Sequence, residues 1–367
     1  MNILISNSTD IFGGGEDYVL TLAMHLQRRG HAVWVSAQPD HLLLRKCNRS
    51  NIDTIPIRYA GMARVFAVAL QLRQEMRARR IDVVHSNANY DRTCAALATA
   101  YSGAAHVATV HSAHSIQHNV THWLRNRYGI DHFIAVADAV QDVLIHEDGI
   151  ASDRITVVPN GVPSNDGAEN LRGAVRRRLG IPDHTIVIGN VARLVPFKGH
   201  RYLLDAVAAL VRENSNVLVL IAGDGELRQK LEGQVHHMGI EDAVRFLGFQ
   251  ENVRDLYHAF DIYCQPSIER AEEAFPIAVL DAMATHLPVV ATHVGGIPSM
   301  VENNVTGFLV APEQPQRIEE ALLRLCADPV LRKRLGHGSF DLFRRRYNAE
   351  SMAEKVEAIY SQYTKDQ

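Results

Sequence analysis

The sequence predicts an α/β protein made of two domains, each a parallel sheet covered by helices. Its 367 residues exceed the size at which a single hydrophobic core usually stops growing. Short apolar runs alternate with amphipathic stretches along both halves, which is the pattern of parallel βαβ units. The alternation pauses after residue 160, and residues 163–167 are rich in loop formers. We therefore place the domain boundary there.

The first half begins with a strand, a glycine loop and a helix. Residues 2–6 are apolar enough for a buried strand, and the loop 7–15 ends in three consecutive glycines. The stretch 16–29 has apolar residues at helical spacing, with Gly30 as its stop. Further strands are predicted at 32–37, 54–57, 82–86, 106–111, 132–137 and 155–159, and further helices at 65–79, 90–101, 116–127 and 138–147.

The second half repeats this order of elements. Strands are predicted at 185–191, 217–222, 244–247, 261–266, 288–292 and 307–310. Helices are predicted at 200–212, 226–238, 253–260, 276–285, 316–326, 329–346 and 349–363. Because parallel α/β sheets bind ligands at the carboxyl ends of their strands, we expect a ligand cleft between the two domains.

Composition narrows the class of protein. The chain is 47% hydrophobic and 22% charged, which is typical of a soluble globular protein, and its net charge of −3 argues against nucleic acid as a partner. Its four cysteines are far apart without a CxxC pair, which predicts buried thiols in a reducing compartment. No apolar run reaches the length of a membrane span, and the first residues lack the basic segment of a signal peptide. We expect a cytoplasmic protein, attached at most to the inner face of a membrane.

The stretch from Glu273 to Ala284 combines two acids with the start of a helix. Pro276 is placed for the first helical position, where its missing N–H costs nothing. The free amides that follow form an anion site, with Glu273 before it and Asp281 inside the helix. A sugar joined to a pyrophosphate offers both an anion and hydroxyl groups for the acids. The simpler alternative is an acid that favours the helix dipole, followed by an ordinary core helix.

Two cations lie on one loop of the second half. Arg193 follows a strand, and Lys198 comes five residues later, directly before the helix that begins near Gly199. A planar guanidinium and a compact ammonium group next to a helix start suit a diphosphate. A solvated basic loop is the alternative interpretation.

Glycine turns follow two of the predicted strands. Gly13, Gly14 and Gly15 let the backbone approach a ligand or make a tight turn, but Tyr18 stands where the dinucleotide fingerprint needs its last glycine, and no P-loop lysine follows. Gly223, Asp224 and Gly225 form a second turn, in which Asp224 could cap the next helix.

His111 follows the predicted strand 106–111 and could face a ligand, although a histidine in such a place is often structural. Together with His114, His118 and His122 it suggests a metal site. The sequence has neither HExxH nor Asp-x-Asp, and no cysteine or carboxylate accompanies these histidines at ligand spacing. We therefore predict no metal site and no cofactor.

Two amphipathic stretches carry arginines beside apolar residues. They face solvent over a core, or they lie on anionic lipid, which would suit a lipid-linked substrate. The residues concerned are Arg64, Arg73, Arg77, Arg79 and Arg80 in the first stretch, and Trp123, Arg125, Arg127 and Tyr128 in the second.

The segment from Glu273 to Ala284 resembles the Glu-x7-Glu signature of family-4 retaining glycosyltransferases, which have the GT-B fold of two facing Rossmann-like domains. Asp281 stands where the second Glu is usual. The approach to Glu273 is about two residues longer than usual, so that Glu269 and Glu272 compete with it for the first position. The spacing from Arg193 to Gly199 is similar to the Arg-x4-Lys-Gly motif of the same family.

The resemblance implies a role for each of these residues. Glu273 would contact hydroxyls of the transferred sugar, Asp281 the ribose, and Arg193 and Lys198 the leaving diphosphate, with His111 facing the donor. The donor-binding residues would be Gly14, Gly15, Gly223, Asp224, Gly225, Gly248, Ala274, Phe275, Pro276, Ile277 and Asp281.

The function that the resemblance implies is transfer of a sugar, with retention and without a metal, from a nucleotide-diphosphate sugar to a hydroxyl of a glycan or lipid-linked glycan of cell-surface polysaccharide synthesis. An acceptor-side domain of residues 1–163 would be completed by a last helix, about 347–367, that crosses back from the donor domain, 164–346. The alternatives are a nucleotide-sugar epimerase of the same architecture and a non-catalytic sugar-nucleotide-binding subunit.

Overall fold

The computed structural model describes residues 1–164, 171–213, 216–268 and 272–364. The chain divides into two compact units. Unit 1 comprises Met1–Pro163 and Asn348–Gln367, and unit 2 comprises Ser164–Tyr347. Glu269, one of the rival acids, and residues 165–167 of the predicted boundary loop lie outside the described residues.

Unit 1 is built on a parallel sheet of seven strands in the order β3-β2-β1-β4-β5-β6-β7. These are β1 Asn2–Ser6, β2 Ala32–Ala37, β3 Asp53–Pro56, β4 Val83–Ser86, β5 Ala105–Val110, β6 His132–Ala135 and β7 Ile155–Val157. The helices between them are α1 Gly14–Arg28, α2 Leu42–Arg49, α3 Val65–Arg79, α4 Asn89–Thr99, α5 Val120–Tyr128 and α6 Asp138–His146. Every residue of β4, β5 and β6 is buried, as expected when helices cover both faces of a parallel sheet.

Unit 2 is built on a parallel sheet of six strands in the order β10-β9-β8-β11-β12-β13. These are β8 Ile186–Val191, β9 Val217–Ala222, β10 Val244–Gly248, β11 Ile262–Gln265, β12 Val289–Thr292 and β13 Gly307–Val310. The helices are α7 Leu171–Arg178, α8 His200–Glu213, α9 Arg228–Met238, α10 Val253–Tyr257, α11 Ile277–Ala284, α12 Ile297–Met300, α13 Pro315–Ala327 and α14 Pro329–Arg346. A buried apolar cluster that includes Leu203, Val207, Val219 and Leu322 joins the sheet to α8 and α13.

Each sheet reverses its strand order at one point, between β1 and β4 in unit 1 and between β8 and β11 in unit 2. At such a switch point the loops after neighbouring strands leave in opposite directions and open a crevice for a ligand. The two-domain α/β fold predicted from the sequence is confirmed. The two switch points identify the loops after β1, β4, β8 and β11 as the places where functional residues are expected.

The last helix, α15 Ala349–Tyr363, belongs to unit 1 and packs on α1. Its apolar face, which includes Met352 and Val356, is buried, and Arg29 at the end of α1 pairs with Glu350 and Glu357. The returning chain lies directly beside the outgoing chain, since Ala349 N donates to Val162 O at 2.9 Å. A Cβ added to Gly161 would come within 2.6 Å of Asn348 O, so only glycine fits this crossing without a shift.

Several helix starts differ from the sequence prediction by one to four residues. Helix α1 begins at Gly14 with Gly13 as its N-cap, so Gly14 and Gly15 are its first helical residues and not loop residues. Pro276 is the N-cap of α11, with an extended backbone, and the helix begins one residue later at Ile277. Helix α5 begins at Val120 and not at residue 116, because the Asn119 side chain caps it by accepting from His122 N. None of the helices in the described ranges is long and apolar enough to cross a membrane.

Candidate functional site

The loop after β8 carries Arg193 and Lys198, and the turn after β9 supports it from one side. Leu194 N donates to Asp224 O at 2.9 Å, and Leu194 O accepts from Leu227 N at 3.0 Å. A Cβ on Gly223, whose φ is +137°, would lie 1.9 Å from Ala192 O. The glycine turn is therefore needed for close backbone packing beneath this loop.

Asp224 does not cap the following helix. Helix α9 begins at Arg228 with Leu227 as its N-cap, and the Asp224 carboxylate instead accepts from the adjacent Gly225 N at 2.8 Å. The Asp224 side chain is exposed at the end of β9. Gly248 ends the neighbouring strand β10, and its carbonyl accepts from Gly223 N at 2.9 Å.

The chain after β11 supports the same loop from the other side. Gly199, at φ +67°, approaches so closely that a Cβ there would lie 1.9 Å from Pro266 O. Ile268 N donates to Phe197 O at 2.8 Å. Both cations of the loop lie over the Phe197 ring, with Arg193 Cζ at 5.8 Å and Lys198 Nζ at 5.2 Å from its centroid. The loop is thus fixed between two strand ends.

Glu273 lies at the centre of this arrangement. Its side chain is only 2% exposed, and it forms an ion pair with Lys198. The second carboxylate oxygen accepts from Gln265 Nε2 at 3.0 Å and from Ser267 Oγ at 2.9 Å. A buried carboxylate is tolerable only with such a set of partners. Glu272, by contrast, is an exposed residue.

The peptide that carries Glu273 is held by the loop after β12. Gly296 N donates to Glu273 O at 3.0 Å, and a Cβ on Gly296 would lie 1.9 Å from Ala274 O. The next residue, Phe275, packs edge-on against Tyr347 with 5.4 Å between ring centroids. The site therefore draws on the carboxyl ends of β8, β9, β11 and β12.

The start of α11 has the backbone amides without a helical partner that the sequence predicts, and the helix begins one residue later than predicted. The hydrogen bond from Val279 N to Pro276 O, at 3.1 Å, leaves the amides of Ile277 and Ala278 at the free end of the helix. Asp281, inside this helix, is 4% exposed and accepts from Arg254 Nε of α10 at 3.1 Å. No pattern in the sequence points to Arg254, because its contact with Asp281 joins two separate helices, 27 positions apart in the chain.

The two cations differ in their surroundings. Lys198 is mostly buried against Glu273, whereas Arg193 is exposed and has no carboxylate at ion-pair distance within the described ranges. Next to them, burial and then the charge of Lys198 lower the pKa of His200 to about 3. His200 is therefore neutral, and Arg193 is the cation of this loop that is open to a ligand.

Unit 1 has a second set of polar residues, of which the sequence identified only His111. Asn7, Asn87 and His111 each directly follow a strand, namely β1, β4 and β5. Asn87 Nδ2 donates to Asn7 Oδ1 at 2.9 Å, and Asn87 Oδ1 accepts from His111 Nε2 at 2.7 Å. Asn7 also contacts Glu16 in the first turn of α1. Their common place after adjacent strands is the signal that would have found Asn7 and Asn87.

Two of the other histidines of this stretch contact each other. His118 N donates to His122 Nδ1 at 3.3 Å, and both lie at the start of α5. Among the described residues, no group of three or more His, Cys, Asp or Glu could hold a metal ion. All four cysteines are buried and free.

The two basic stretches of unit 1 have separate buried and exposed faces. In α3, Val68, Leu72 and Met76 belong to the core, whereas Phe66 and Leu70 are exposed. In α5, the exposed residues include Val120, Trp123, Leu124, Arg127 and Tyr128. Arg125 is not part of that face, because its guanidinium is buried and donates to Asn89 Oδ1 and Thr93 Oγ1. The guanidinium of Arg79 likewise has a partner, because it forms an ion pair with Glu75.

The two halves of the chain match two family models. Residues 12–166 match the model "Glycosyltransferase Family 4", and residues 172–340 match "Glycosyl transferases group 1". A D-inositol 3-phosphate glycosyltransferase from Corynebacterium glutamicum is 34% identical over 238 residues, which are 61% of this chain and 55% of that protein. The chain thus spans about half the length of the curated relatives it matches.

Solved structures show the same fold over the whole chain. The structure of a glycosyltransferase from Rickettsia africae aligns with 100% of this chain and over 99% of its own length. The TM-score is 0.84 and the sequence identity is 19%. The structure of the Anabaena protein HepE, crystallised with UDP-glucose, aligns with 99% of this chain and over 100% of its own length. The TM-score is 0.85 and the sequence identity is 23%.

The burial of the Lys198–Glu273 pair generates a stability prediction. Replacing Lys198 by Met should destabilise unit 2 by about 3 kcal/mol, because it leaves a buried carboxylate without its cation. Combining Lys198→Met with Glu273→Gln should cost less than the sum of the two single changes. Thermal and denaturant unfolding of the four proteins measures the coupling.

The matched control is the exposed pair of Arg317 and Glu320, in which both side chains are 60% exposed. Arg317→Met should change stability by at most about 0.5 kcal/mol. Additive costs for Lys198 and Glu273 would show that the two side chains do not form a coupled pair.

Proposed function

The chain belongs to the family 4 and group 1 glycosyltransferases, whose two models together match most of it, and from this we propose that it transfers a sugar from a nucleotide-diphosphate sugar to a hydroxyl of an acceptor. The observation that carries the proposal is the buried pair of Glu273 and Lys198 beside the exposed Arg193 and the open start of α11. A carboxylate for hydroxyls and cations for a diphosphate lie within one site, as a nucleotide sugar requires.

Unit 2 is the proposed donor domain. Arg193 and the amides of Ile277 and Ala278 would bind the diphosphate, Glu273 the hydroxyls of the sugar, and Asp281 the ribose. The Gly223 turn and Gly248 would border the nucleotide. The Anabaena structure with UDP-glucose, which has the same fold, supports a nucleotide sugar as the donor class.

Catalysis in this proposal is electrostatic. As the bond between sugar and diphosphate breaks, negative charge grows on the leaving diphosphate, and Arg193 and Lys198 stabilise it. Lys198 would then serve two anions, Glu273 and the diphosphate, from one position. Because two cations fill this role, we propose that the reaction needs no metal and no cofactor. The likeness to the retaining family supports transfer with retention, with the acceptor proton passing to a phosphate oxygen.

The proposed acceptor is a hydroxyl of a glycan or lipid-linked glycan of cell-surface polysaccharide synthesis. A lipid-linked acceptor would lie in the membrane, and the exposed apolar residues on α3 and α5 offer a means of reaching it. Phe66 and Leu70 lie one turn apart on α3, with Arg77 further along the same face. On α5, Trp123 and Leu124 are 43% and 46% exposed.

We propose that these two faces bind anionic lipid. Apolar side chains would enter the interface while the exposed arginines next to them meet lipid phosphates. The enzyme would then act at the inner face of a membrane without crossing it. This proposal is independent of the donor site, since all its residues belong to unit 1.

The donor class is tested by binding and by turnover. In excess EDTA, one of a panel of UDP-, GDP- and ADP-hexoses should raise the melting temperature, since a ligand at a hundred times its Kd adds about 2.7 kcal/mol. The same compound should support transfer to a lipid or glycan acceptor at an undiminished rate in chelator. Loss of transfer in EDTA, restored by Mg²⁺ or Mn²⁺, would contradict the metal-free mechanism. Conversion of the nucleotide sugar without any acceptor would instead indicate an epimerase.

The roles of the acids are tested by kinetics. Glu273→Gln should lower kcat about ten- to a hundredfold, because it removes a charged acceptor for the sugar hydroxyls. Asp281→Asn should mainly raise KM for the donor, since the ribose is remote from the reacting carbon. Glu272→Gln, an exposed neighbour, is the matched control and should change kcat less than twofold, as expected of a surface substitution. An inactive Glu272→Gln beside an active Glu273→Gln would reverse the assignment.

The membrane proposal is tested with vesicles of phosphatidylcholine with and without phosphatidylglycerol. Binding should require the anionic lipid, weaken with salt, and fall about tenfold in Phe66→Glu and in Leu124→Glu. Val330→Glu is the control, because Val330 is 76% exposed on α14 of unit 2. An equal loss of vesicle binding in all three variants, or binding that does not depend on the charge of the lipid, would refute the proposed surface.

A further inference from the structure

Glu273 and Asp281 are connected through two buried side chains of β11. Tyr263 and Gln265 lie on the same face of that strand, and the Tyr263 hydroxyl donates to Gln265 Oε1 at 2.7 Å. Gln265 Nε2 in turn donates to Glu273 at 3.0 Å. Burial raises the pKa of Tyr263 well above its usual range, and the charges of Glu273 and, less strongly, Asp281 add to the shift. The Tyr263 hydroxyl therefore keeps its proton and lies within electrostatic reach of both carboxylates.

Helix α10 is anchored beside these side chains by an aromatic contact. The rings of Tyr257, the last residue of α10, and Tyr263 lie 5.6 Å apart, and both side chains are fully buried. Arg254 precedes Tyr257 by three residues, so the two side chains lie on the same side of the helix. The packing of Tyr257 thus brings Arg254 to α11, where its Nε donates to Asp281 Oδ1 at 3.1 Å.

Asp281 lies one turn inside α11. It follows Ile277, the first residue of the helix, by four positions, and side chains of a helix lean towards its N-terminus. The carboxylate therefore points towards the end of α11 that has the free amides. The side chain of Asp281 is 6% exposed and that of Arg254 is 27% exposed, so the acid is the more deeply buried partner.

An aspartate in this place depends on its partner for orientation. Its carboxylate is one methylene closer to the backbone than that of the glutamate usual in the Glu-x7-Glu signature, so it reaches less far. A buried carboxylate is strongly disfavoured without its cation. Arg254 supplies that cation as a planar group with donors in a fixed geometry, which orients a carboxylate better than the ammonium group of a lysine.

We propose that Arg254 is a positioning residue that holds the Asp281 carboxylate in the orientation in which it accepts a hydrogen bond from a ribose hydroxyl. This rests on the proposed function, in which Asp281 contacts the ribose of the nucleotide sugar. A carboxylate has about four acceptor sites, so pairing with Arg254 leaves capacity for a hydroxyl. The Arg254–Asp281 pair then determines the preference of the donor site for ribose over deoxyribose.

The ribose preference is the quantity that tests this role. It is the ratio of the Kd of the 2′-deoxy or 3′-deoxy form to the Kd of UDP, GDP or ADP, whichever binds, measured by calorimetry. In the parent the larger ratio should be about ten- to a hundredfold, as expected of a hydrogen bond to a charged group. In Arg254→Leu it should fall below about threefold. A loss of stability alone would weaken both forms equally and leave the ratio unchanged.

A double-mutant cycle shows whether Arg254 acts through Asp281. Asp281→Asn should lower the ribose preference by itself, because a neutral amide is a weaker acceptor than a carboxylate. Adding Arg254→Leu to Asp281→Asn should then change the preference less than about twofold. An equal loss in both backgrounds would indicate that Arg254 contacts the ribose directly, and would overturn the positioning role.

The matched control is another Arg–Asp ion pair of unit 2. Arg172 donates to Asp261 at 2.7 Å, and Asp261 directly precedes β11, at the opposite end of the strand from the candidate site. Arg172→Leu removes the same kind of side chain from the same kind of partner. It should leave the ribose preference unchanged.

Arg254→Lys keeps the test decisive if Arg254→Leu does not fold, as judged by thermal unfolding. It retains the positive charge but replaces the planar group by a single ammonium group. Its ribose preference should lie clearly below that of the parent. A preference equal to that of the parent would show that the charge alone suffices, and would overturn the positioning role.

Kinetics with the nucleotide sugar give a second readout. Arg254→Leu should raise KM for the donor about tenfold and leave kcat within about twofold of the parent. The reason is that a contact with the ribose, remote from the reacting carbon, stabilises the ground state and the transition state alike. A fall of kcat at unchanged KM would contradict a role at the ribose.

The outcomes distinguish this inference from the function on which it rests. If sugar transfer is found but the parent has no ribose preference, or Arg254→Leu retains it in full, the inference fails and the proposed function stands. If none of the three diphosphates and none of the nucleotide sugars binds the parent, the proposed function fails and the inference fails with it.

Discussion

The architecture of unit 2 depends on placing one negative charge where water is excluded. The Glu273 carboxylate is almost fully buried, and the chain meets that cost with one cation and two neutral donors. The cation, Lys198, must come from a different strand end, so its loop has to pass within backbone contact of the chain after β11. Gly199 and Gly223 permit that approach on either side. The ion pair thus explains why glycines stand directly before α8 and directly after β9.

The two units place polar side chains at equivalent positions of their sheets but use different chemical groups there. Each places polar side chains directly after strands at the point where its sheet reverses order. Unit 2 uses charges, with Arg193 exposed and Lys198 shared with an acid, which suits an anionic ligand. Unit 1 uses the neutral amides of Asn7 and Asn87 and the imidazole of His111, with the carboxylate of Glu16 accepting from Asn7. Such a set of side chains suits a ligand that carries hydroxyls.

The fold was predictable because the strands contain short apolar runs, of which β9 is wholly apolar, separated by helical patterns. Short elements were not: α12 has only four residues, too few for a periodic pattern, and α2 is capped by His41, a residue that rarely signals a helix start. Residues such as Glu273, Arg193 and His111 could be singled out from motifs, although their roles stay predictions. Arg254 and Asn87 could not, because they matter through contacts with residues distant in the chain. The position of Asp224 suggested a helix cap, because an acid directly before a helix usually caps it, whereas α9 begins only at Arg228.

The side-by-side passage of Val162 and Ala349 has a consequence for synthesis of the chain. Unit 2 is one unbroken segment, whereas the last helix of unit 1 follows unit 2 in the chain. On the ribosome, the seven strands of unit 1 emerge first, but the surface of α1 that α15 covers stays open until residue 363 has left the exit tunnel. Unit 2 can be complete before that moment. The domain that begins first is therefore finished last, and during that interval the face of α1 that α15 later covers is exposed.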